Sequence, residues 1–322
     1  MEMRQTIIIN KVIKSKKPNP FIRELKVNWG LFLLLIPGFL FLLIFIYVPM
    51  FGIFIAFKNI NYAKGIFGSP WVGFENFNFL FKSVDALLIT RNTVLYNLVF
   101  IITGLVFSVC IAIALNELRN KALAKIYQNA LFLPYFLSWV IVSYIVFSLL
   151  NVRYGLLNKS ILPLLGMKGI NWYSEPKLWI FIIPIVQIWK SIGYGTILYL
   201  AGITGIDQTY YEAAVIDGAT KWQQITQITI PLLKPLMVIT TILAVGRIFS
   251  ADFGLFFQVT QDSGQLFDTT NVIDTYVYRA LTGSGDIGMA CAAGLFQSAI
   301  GFVLVLLTNL IVTKIDSEYA LF

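Results

Sequence analysis

The chain has 322 residues, of which 58% are hydrophobic and only 12% charged, with a formal net charge of +8. A soluble globular domain carries about 25% charged residues, so this composition excludes water as the main solvent. The basic excess lies mostly outside the apolar stretches, which assigns it to membrane topology rather than to nucleic acid. The absence of histidine removes the commonest metal ligand and general base. Cys110 and Cys291 both fall in apolar runs and are expected as buried free thiols, not a disulfide.

A helix needs about 20 apolar residues to cross the hydrocarbon layer. Six stretches qualify, at about 31–57, 93–115, 127–150, 178–203, 236–257 and 289–313. They define a transmembrane domain over 30–322, preceded by a basic segment over 1–29. The first stretch is too long for a signal peptide, and no small-residue cleavage site follows it. Arg4, Lys11, Lys14, Lys16, Lys17, Arg23 and Lys26 precede it, and Arg119, Lys121 and Lys125 lie between the second and third stretches. The positive-inside rule makes that side cytoplasmic, together with both termini and the loop 204–234. Three longer segments then lie outside. The first holds Trp71, Phe74, Phe77, Phe79 and Phe81, as expected of a short helix along the headgroup layer. Pro37, Pro134 and Pro184 fall within spans, where neighbouring helices absorb a kink. Ala290, Gly294 and Ser298 in the sixth stretch are spaced for close helix packing, within the chain or against a partner.

The loop 204–234 carries the most local information. Thr209 with Glu212, and Thr220 with Gln223, each read as a capping box. Gly218 ends the first short helix, and Ile225, Ile228 and Thr229 place an apolar stripe on the second. Pro231 and Pro235 are expected to end that second helix and open the fifth span. Taken alone, Glu212 reads equally well as a helix-capping residue. The whole string, Glu212-Ala213-Ala214, then Asp217-Gly218-Ala219, then Ile230-Pro231, resembles the EAA loop of binding-protein-dependent ABC importer permeases. The chain around it resembles the maltose-permease-like, carbohydrate-uptake branch of that family, over all but about the first 25 residues. The stretch 252–258 resembles one carbohydrate subgroup.

That resemblance implies an all-α integral membrane fold of the type I ABC importer permease, with six transmembrane helices, an interfacial outer helix and a cytoplasmic coupling helix. It implies that Tyr211, Glu212, Ala213, Ala214, Asp217 and Gly218 meet an ATPase subunit. The small alanines would allow close approach, and the Glu212 carboxylate would meet a basic or amide-lined groove. The implied partners are a second related permease, a dimer of ATPase subunits, an extracytoplasmic solute-binding protein, a carbohydrate and the lipid bilayer. The location implied is the bacterial cytoplasmic membrane. ATP and magnesium would belong to the partner ATPase, because the chain has no Walker A string and binds no cofactor of its own.

Polar residues inside spans indicate a pathway or a helix partner. The pathway candidates are Asn97, Tyr135, Trp139, Tyr144, Gln187, Lys190, Tyr194 and Asp252, with Tyr96, Trp189, Ser191 and Arg247 nearby in the sequence. Aromatic faces with hydrogen-bonding groups suit sugar rings, and a cationic lining would suit an acidic sugar. Helix–helix hydrogen bonding or mutual pairing of Lys190, Arg247 and Asp252 would explain the same residues. Gly283-x-Gly285-x-x-Gly288 fits a dinucleotide fingerprint as a string, but no strand precedes it. A self-sufficient secondary transporter would be expected to show inverted repeats, and a membrane enzyme a catalytic cluster; neither is evident. An ABC permease for another small polar solute is the remaining alternative.

Overall fold

The computed structural model describes residues 24, 26–83, 85–316, 320 and 321. Most of the expected 1–29 segment, from Arg4 to Arg23, lies outside them. The chain divides into two compact units, 1–54 and 55–322. The first unit holds most of α1 (Trp29–Phe57), whose residues from Ile55 on are counted in the second. No residue of Trp29–Leu42 is buried, so this apolar surface is left for lipid or a partner.

The second unit is helical. Its described residues hold no strand, only one isolated bridge, Lys58 to Trp71. In chain order it contains α2 (Ala86–Glu117), α3 (Lys121–Phe136), α4 (Trp139–Leu150), α5 (Pro176–Thr204), α6 (Gln208–Ile216), α7 (Lys221–Val245), α8 (Gly254–Val259, π-helical), α9 (Ile273–Ser284) and α10 (Ile287–Ile315). α5 and α10 match the expected fourth and sixth spans closely. α2 starts at Ala86 rather than near 93, because its polar Asn92 is satisfied inside the fold, donating to the Asn271 carbonyl at 3.0 Å.

Two spans differ from expectation. The third is not continuous over 127–150: α3 and α4 meet at a bend of 101°. Pro134 cannot donate to the helix ladder and leaves a 3-10 turn over Leu133–Phe136. Ser138 then restarts the helix, its hydroxyl accepting from the Ile141 N–H at 3.3 Å. The fifth span stops at Val245, and 246–253 is unwound before α8. Pro231 and Pro235 do not separate the loop helix from the fifth span. The helix passes through both, with a π turn at Ile225–Thr229 ahead of Pro231 that accommodates its missing N–H.

Contacts sort the loops onto two ends. Glu117 at the end of α2 pairs with Lys221 at the start of α7 at 3.3 Å. At the other end Tyr62 donates to Gly285 O at 3.2 Å, Ser263 to Tyr173 O at 3.2 Å and Thr269 to Pro176 O at 2.9 Å. The three segments expected on the outer side therefore lie together. In the first of them the expected interfacial helix is two short turns, Glu75–Phe77 and Phe79–Lys82, with Phe74 and Phe81 exposed. Gly283 and Gly285 close α9, with Gly285 left-handed at φ 69°, so the glycine string is a helix cap.

α2, α4, α5 and α8 share one core, in which Trp179 is fully buried and its indole donates to the Trp172 carbonyl at 2.8 Å. Cys110 is exposed and Cys291 half-buried, contrary to the expectation of two buried thiols. Ala290 is half-buried while Gly294 and Ser298 are exposed, and a Cβ at Gly294 would meet nothing within 4 Å among the described residues. The close approach is made elsewhere on α10. A Cβ at Gly301 would stand 2.2 Å from the Gly246 carbonyl oxygen, which is backbone and cannot yield. Gly301→Ala is expected to lower the melting temperature of the detergent-solubilised protein, by the about 1–3 kcal/mol typical of overpacking. Gly294→Ala, whose Cβ would meet nothing within 4 Å, is the control, and equal melting of the two variants would refute the contact.

Candidate functional site

Two places concentrate the polar residues singled out above: a projecting knob and a cluster where broken helices meet.

The knob is α6, a glycine turn and the first turns of α7. α6 is capped two residues earlier than the Thr209–Glu212 pattern suggested. Asp207 is the N-cap, its carboxylate accepting from the Thr209 N–H at 2.9 Å. That hydrogen bond, then the Thr209 hydroxyl, holds the Asp207 carboxyl below its ordinary pKa. At the other end Gly218 is left-handed at φ 76°. Its N–H reaches Val215 O at 3.1 Å, and the Ala219 N–H reaches Ala214 O at 2.8 Å. This is a Schellman closure. Thr220 and Gln223 form the expected capping box. Tyr211 Oη lies 2.9 Å from Thr229 Oγ1, tying α6 to the π turn of α7. Glu212, Ala213, Asp217 and Gly218 are exposed, while Tyr211 and Ala214 are half-buried. Glu212 has no partner among the described residues. Ile216 and Trp222, which the loop motif does not include, are the most exposed large apolar residues of the knob, at 85% and 71%. Their hydrophobicity beside a polar motif was the available signal.

The second place lies midway along α5. Lys190 Nζ donates to Tyr135 O at 2.9 Å, at the C-terminal end of α3, and stands 5.1 Å from the Trp139 ring centroid and 5.6 Å from that of Tyr135. The end of a helix offers unpaired carbonyls and partial negative charge, so the ammonium caps α3. Tyr194 stacks on Tyr135 with centroids 5.1 Å apart. Trp139 Nε1 donates to Asp252 Oδ2 at 3.0 Å, while Asp252 Oδ1 accepts from the N–H groups of Gly254 and Leu255 at 3.0 and 3.3 Å. Gly254 is required here, because a Cβ would lie 2.1 Å from the Trp139 ring. Lys190 makes no close ion pair among the described residues, but the charge of Asp252 acts on it from a longer distance. Of the expected mutual pairing only this Lys190–Asp252 attraction is found, without Arg247. Arg247 is exposed and apart.

Thus Tyr135, Trp139, Lys190, Tyr194 and Asp252 come together. Gln187 lies one turn from Lys190, with its side-chain oxygen buried and unpartnered. Tyr144 is 70% exposed and makes no contact with the cluster. Tyr96 is core. The Asn97 amide is committed to backbone, donating to Thr93, Ile248 and Ser250 carbonyls at 2.9, 3.0 and 3.1 Å.

A helical membrane protein whose spans break against one another at mid-length, with a rigid knob projecting from one end, has the build of a transporter's membrane subunit. The chain belongs to the family described as binding-protein-dependent transport system inner membrane component, whose model matches residues 104–317. It is 34% identical over 307 residues to Protein LplB of Bacillus subtilis (strain 168), covering 95% of this chain and 96% of that protein. It is 34% identical over 308 residues to the polygalacturonan/rhamnogalacturonan transport system permease protein YteP of the same organism, covering 95% of each. A crystal structure of a bacterial alginate ABC transporter, in complex with alginate pentasaccharide-bound periplasmic protein, contains a chain 31% identical to this one. That match has a TM-score of 0.81 and covers 91% of this chain and 97% of that one. The protein is an integral membrane permease subunit of an ABC importer and not an enzyme.

Gly218→Val places a β-branched residue at φ 76°, at a cost of about 1–2 kcal/mol or more. Hydrogen exchange is expected to show faster exchange at the Gly218-position and Ala219 amides. Unchanged protection of both would refute the turn.

Proposed function

We propose that this chain forms the translocation pathway for an oligosaccharide or polysaccharide fragment, and that the Lys190–Trp139–Tyr135–Tyr194–Asp252 cluster is where the sugar passes. The observation that carries the reading is the combination of stacked aromatic faces with one ammonium that has no close carboxylate partner among the described residues, at the meeting of broken helices. Apolar sugar faces stack on rings, and sugar hydroxyls accept from the remaining Lys190 hydrogens. The sugar-transport names of the relatives support the substrate class. A finer reading is favoured by Lys190 itself: the cargo carries carboxylates. Both named relatives with a stated substrate are named for transport of uronic-acid polymers, polygalacturonan/rhamnogalacturonan in one case and alginate in the other.

The partner set follows from the same reading. An external binding protein delivers the sugar, a second related permease completes the pathway, and a pair of ATPase subunits holds ATP and magnesium. The knob residues Tyr211, Glu212, Ala213, Ala214, Asp217 and Gly218 couple to an ATPase subunit. The chain then sits in the bacterial cytoplasmic membrane with both termini and the knob in the cytoplasm. Exposed Glu212 supplies a carboxylate to the ATPase groove, and Ile216 and Trp222 supply apolar contact beside it.

Two measurements on membrane vesicles carrying the complete importer test this. Glu212→Arg is expected to abolish ATP-driven uptake, and retained uptake would remove the coupling role. Lys190→Met is expected to lower uptake of a trigalacturonic acid probe roughly ten-fold, the scale of one charge-assisted hydrogen bond, while its methyl-esterified form is affected less. Equal loss for both forms would overturn the acidic reading, and no loss for either would overturn the pathway assignment.

A further inference from the structure

In the unwound stretch 246–253 the N–H groups of Gly246, Arg247, Ile248 and Ser250 bond to nearby carbonyls in turns. The carbonyls of Ile248, Phe249 and Ser250 and the N–H of Ala251 have no such backbone partner, within an apolar span where an unsatisfied group costs several kcal/mol. Three side chains from three other helices meet its polar groups. Asn97 of α2 donates to Ile248 O and Ser250 O at 3.0 and 3.1 Å. Gln297 of α10 donates to Phe249 O at 2.8 Å. Asp274 of α9 accepts from the Ala251 N–H at 2.7 Å and from Gln297 Nε2 at 3.2 Å, both on Oδ2. The next residue in the chain is Asp252, whose two carboxylate oxygens bind Trp139 and the start of α8.

We propose that Asp274, with Gln297 and Asn97, is a positioning group for the pathway: the three clamp the unwound stretch so that the Asp252 carboxylate is aimed at the Trp139 indole. Asp274 touches no cluster residue by its side chain and acts through the Ala251–Asp252 backbone. A side chain that only filled space there would need no charge and no acceptor. Here the carboxylate forms a short bond to one backbone N–H and fixes the amide orientation of Gln297, which in turn holds the neighbouring carbonyl. The arrangement links α9, on the loop-rich end, to α10 and α2 through one non-helical strip. A shift of α9 relative to α10 would therefore be felt first at Asp252. The functional half of this inference rests on the pathway reading given above; the clamp itself does not.

The test uses the complete importer. Asp274→Leu removes the acceptor, whereas Asp274→Asn keeps an oxygen for Ala251 and Gln297. Hydrogen exchange is expected to accelerate roughly ten-fold or more at Ala251, Gly254 and Leu255 in the Leu variant, with α2 and α5 amides unchanged and protection restored in the Asn variant. Unchanged protection at those three amides, or a loss spread evenly over α2 and α5, overturns the clamp. Uptake of trigalacturonic acid is then compared in wild type, Trp139→Phe, Asp274→Leu and the double variant. If Asp274 acts through Asp252 and Trp139, the double variant transports no worse than Trp139→Phe alone. Losses that multiply overturn the positioning role. If Trp139→Phe leaves uptake intact, the pathway reading fails, and the exchange measurement still decides the clamp.

Discussion

The rest of the structure depends on one constraint: a helix that breaks within hydrocarbon must have its freed N–H and C=O groups met by protein. The protein breaks two spans, at Leu137–Ser138 and at 246–253, and places the breaks side by side. The orphan groups are then satisfied by a small set of polar side chains. Lys190 meets the end of α3, Ser138 the start of α4, and Asp252 the start of α8. Asn97, Gln297 and Asp274 meet the strip between α7 and α8. Most charged and amide side chains at mid-bundle are accounted for by backbone, which is why they converge and why a cluster exists there at all.

The same strip is where the knob's motion would arrive. α7 runs unbroken from Lys221 to Val245, 25 residues, so at 1.5 Å per residue it is a rod of roughly 37 Å. Its first turns belong to the knob, and its last residue is followed by Gly246 and the break. Near the knob, Tyr211 and Thr229 tie α6 to the rod, and Glu117 with Lys221 ties the rod to α2. At the far end Gly301 lets α10 approach the Gly246 carbonyl closely. A push on the knob is therefore not absorbed by a loop. On the coupling reading proposed above, it is carried along α7 toward the unwound stretch that follows Val245.

Periodicity and composition made the spans legible, because long apolar runs bounded by basic segments need no tertiary knowledge. The knob was legible through Gly218 and the Thr220–Gln223 box, since both act over a few residues. Its first cap was misread because two acceptors compete there: Asp207 lies two residues ahead of Thr209, and a carboxylate is the stronger of the two. The breaks were not legible. The segment around Leu133–Ser138 is as apolar as its flanks, and Pro134 alone does not distinguish a kink from a 101° turn. Proline was also misleading in α7, where a π turn lets the helix pass Pro231. Asn97 was found as a polar residue in a span, but its donors serve carbonyls that only the fold brings near. Asp274 and Gln297 were missed because nothing local marks them. Their meaning comes from Phe249 and Ala251, more than twenty residues away from either.

Capping a helix end and offering a site to cargo are not competing explanations for Lys190. An ammonium has three hydrogens, and Tyr135 O takes one. The others lie beside the Trp139 and Tyr135 rings, where no carboxylate among the described residues makes a close ion pair and Asp252 acts on the charge only from a distance. A cation inside a span is costly, and the aromatic faces, the α3 terminus and the more distant Asp252 carboxylate each offset part of the cost. On the pathway reading proposed above, a passing sugar with hydroxyls or carboxylates supplies more. Asp252 is arranged in the opposite sense. Its oxygens are occupied by an indole and two backbone N–H groups, so it orients Trp139 while presenting little free charge to an anionic cargo. The break that needs a cation to close it thereby leaves that cation facing the place where the rings stack.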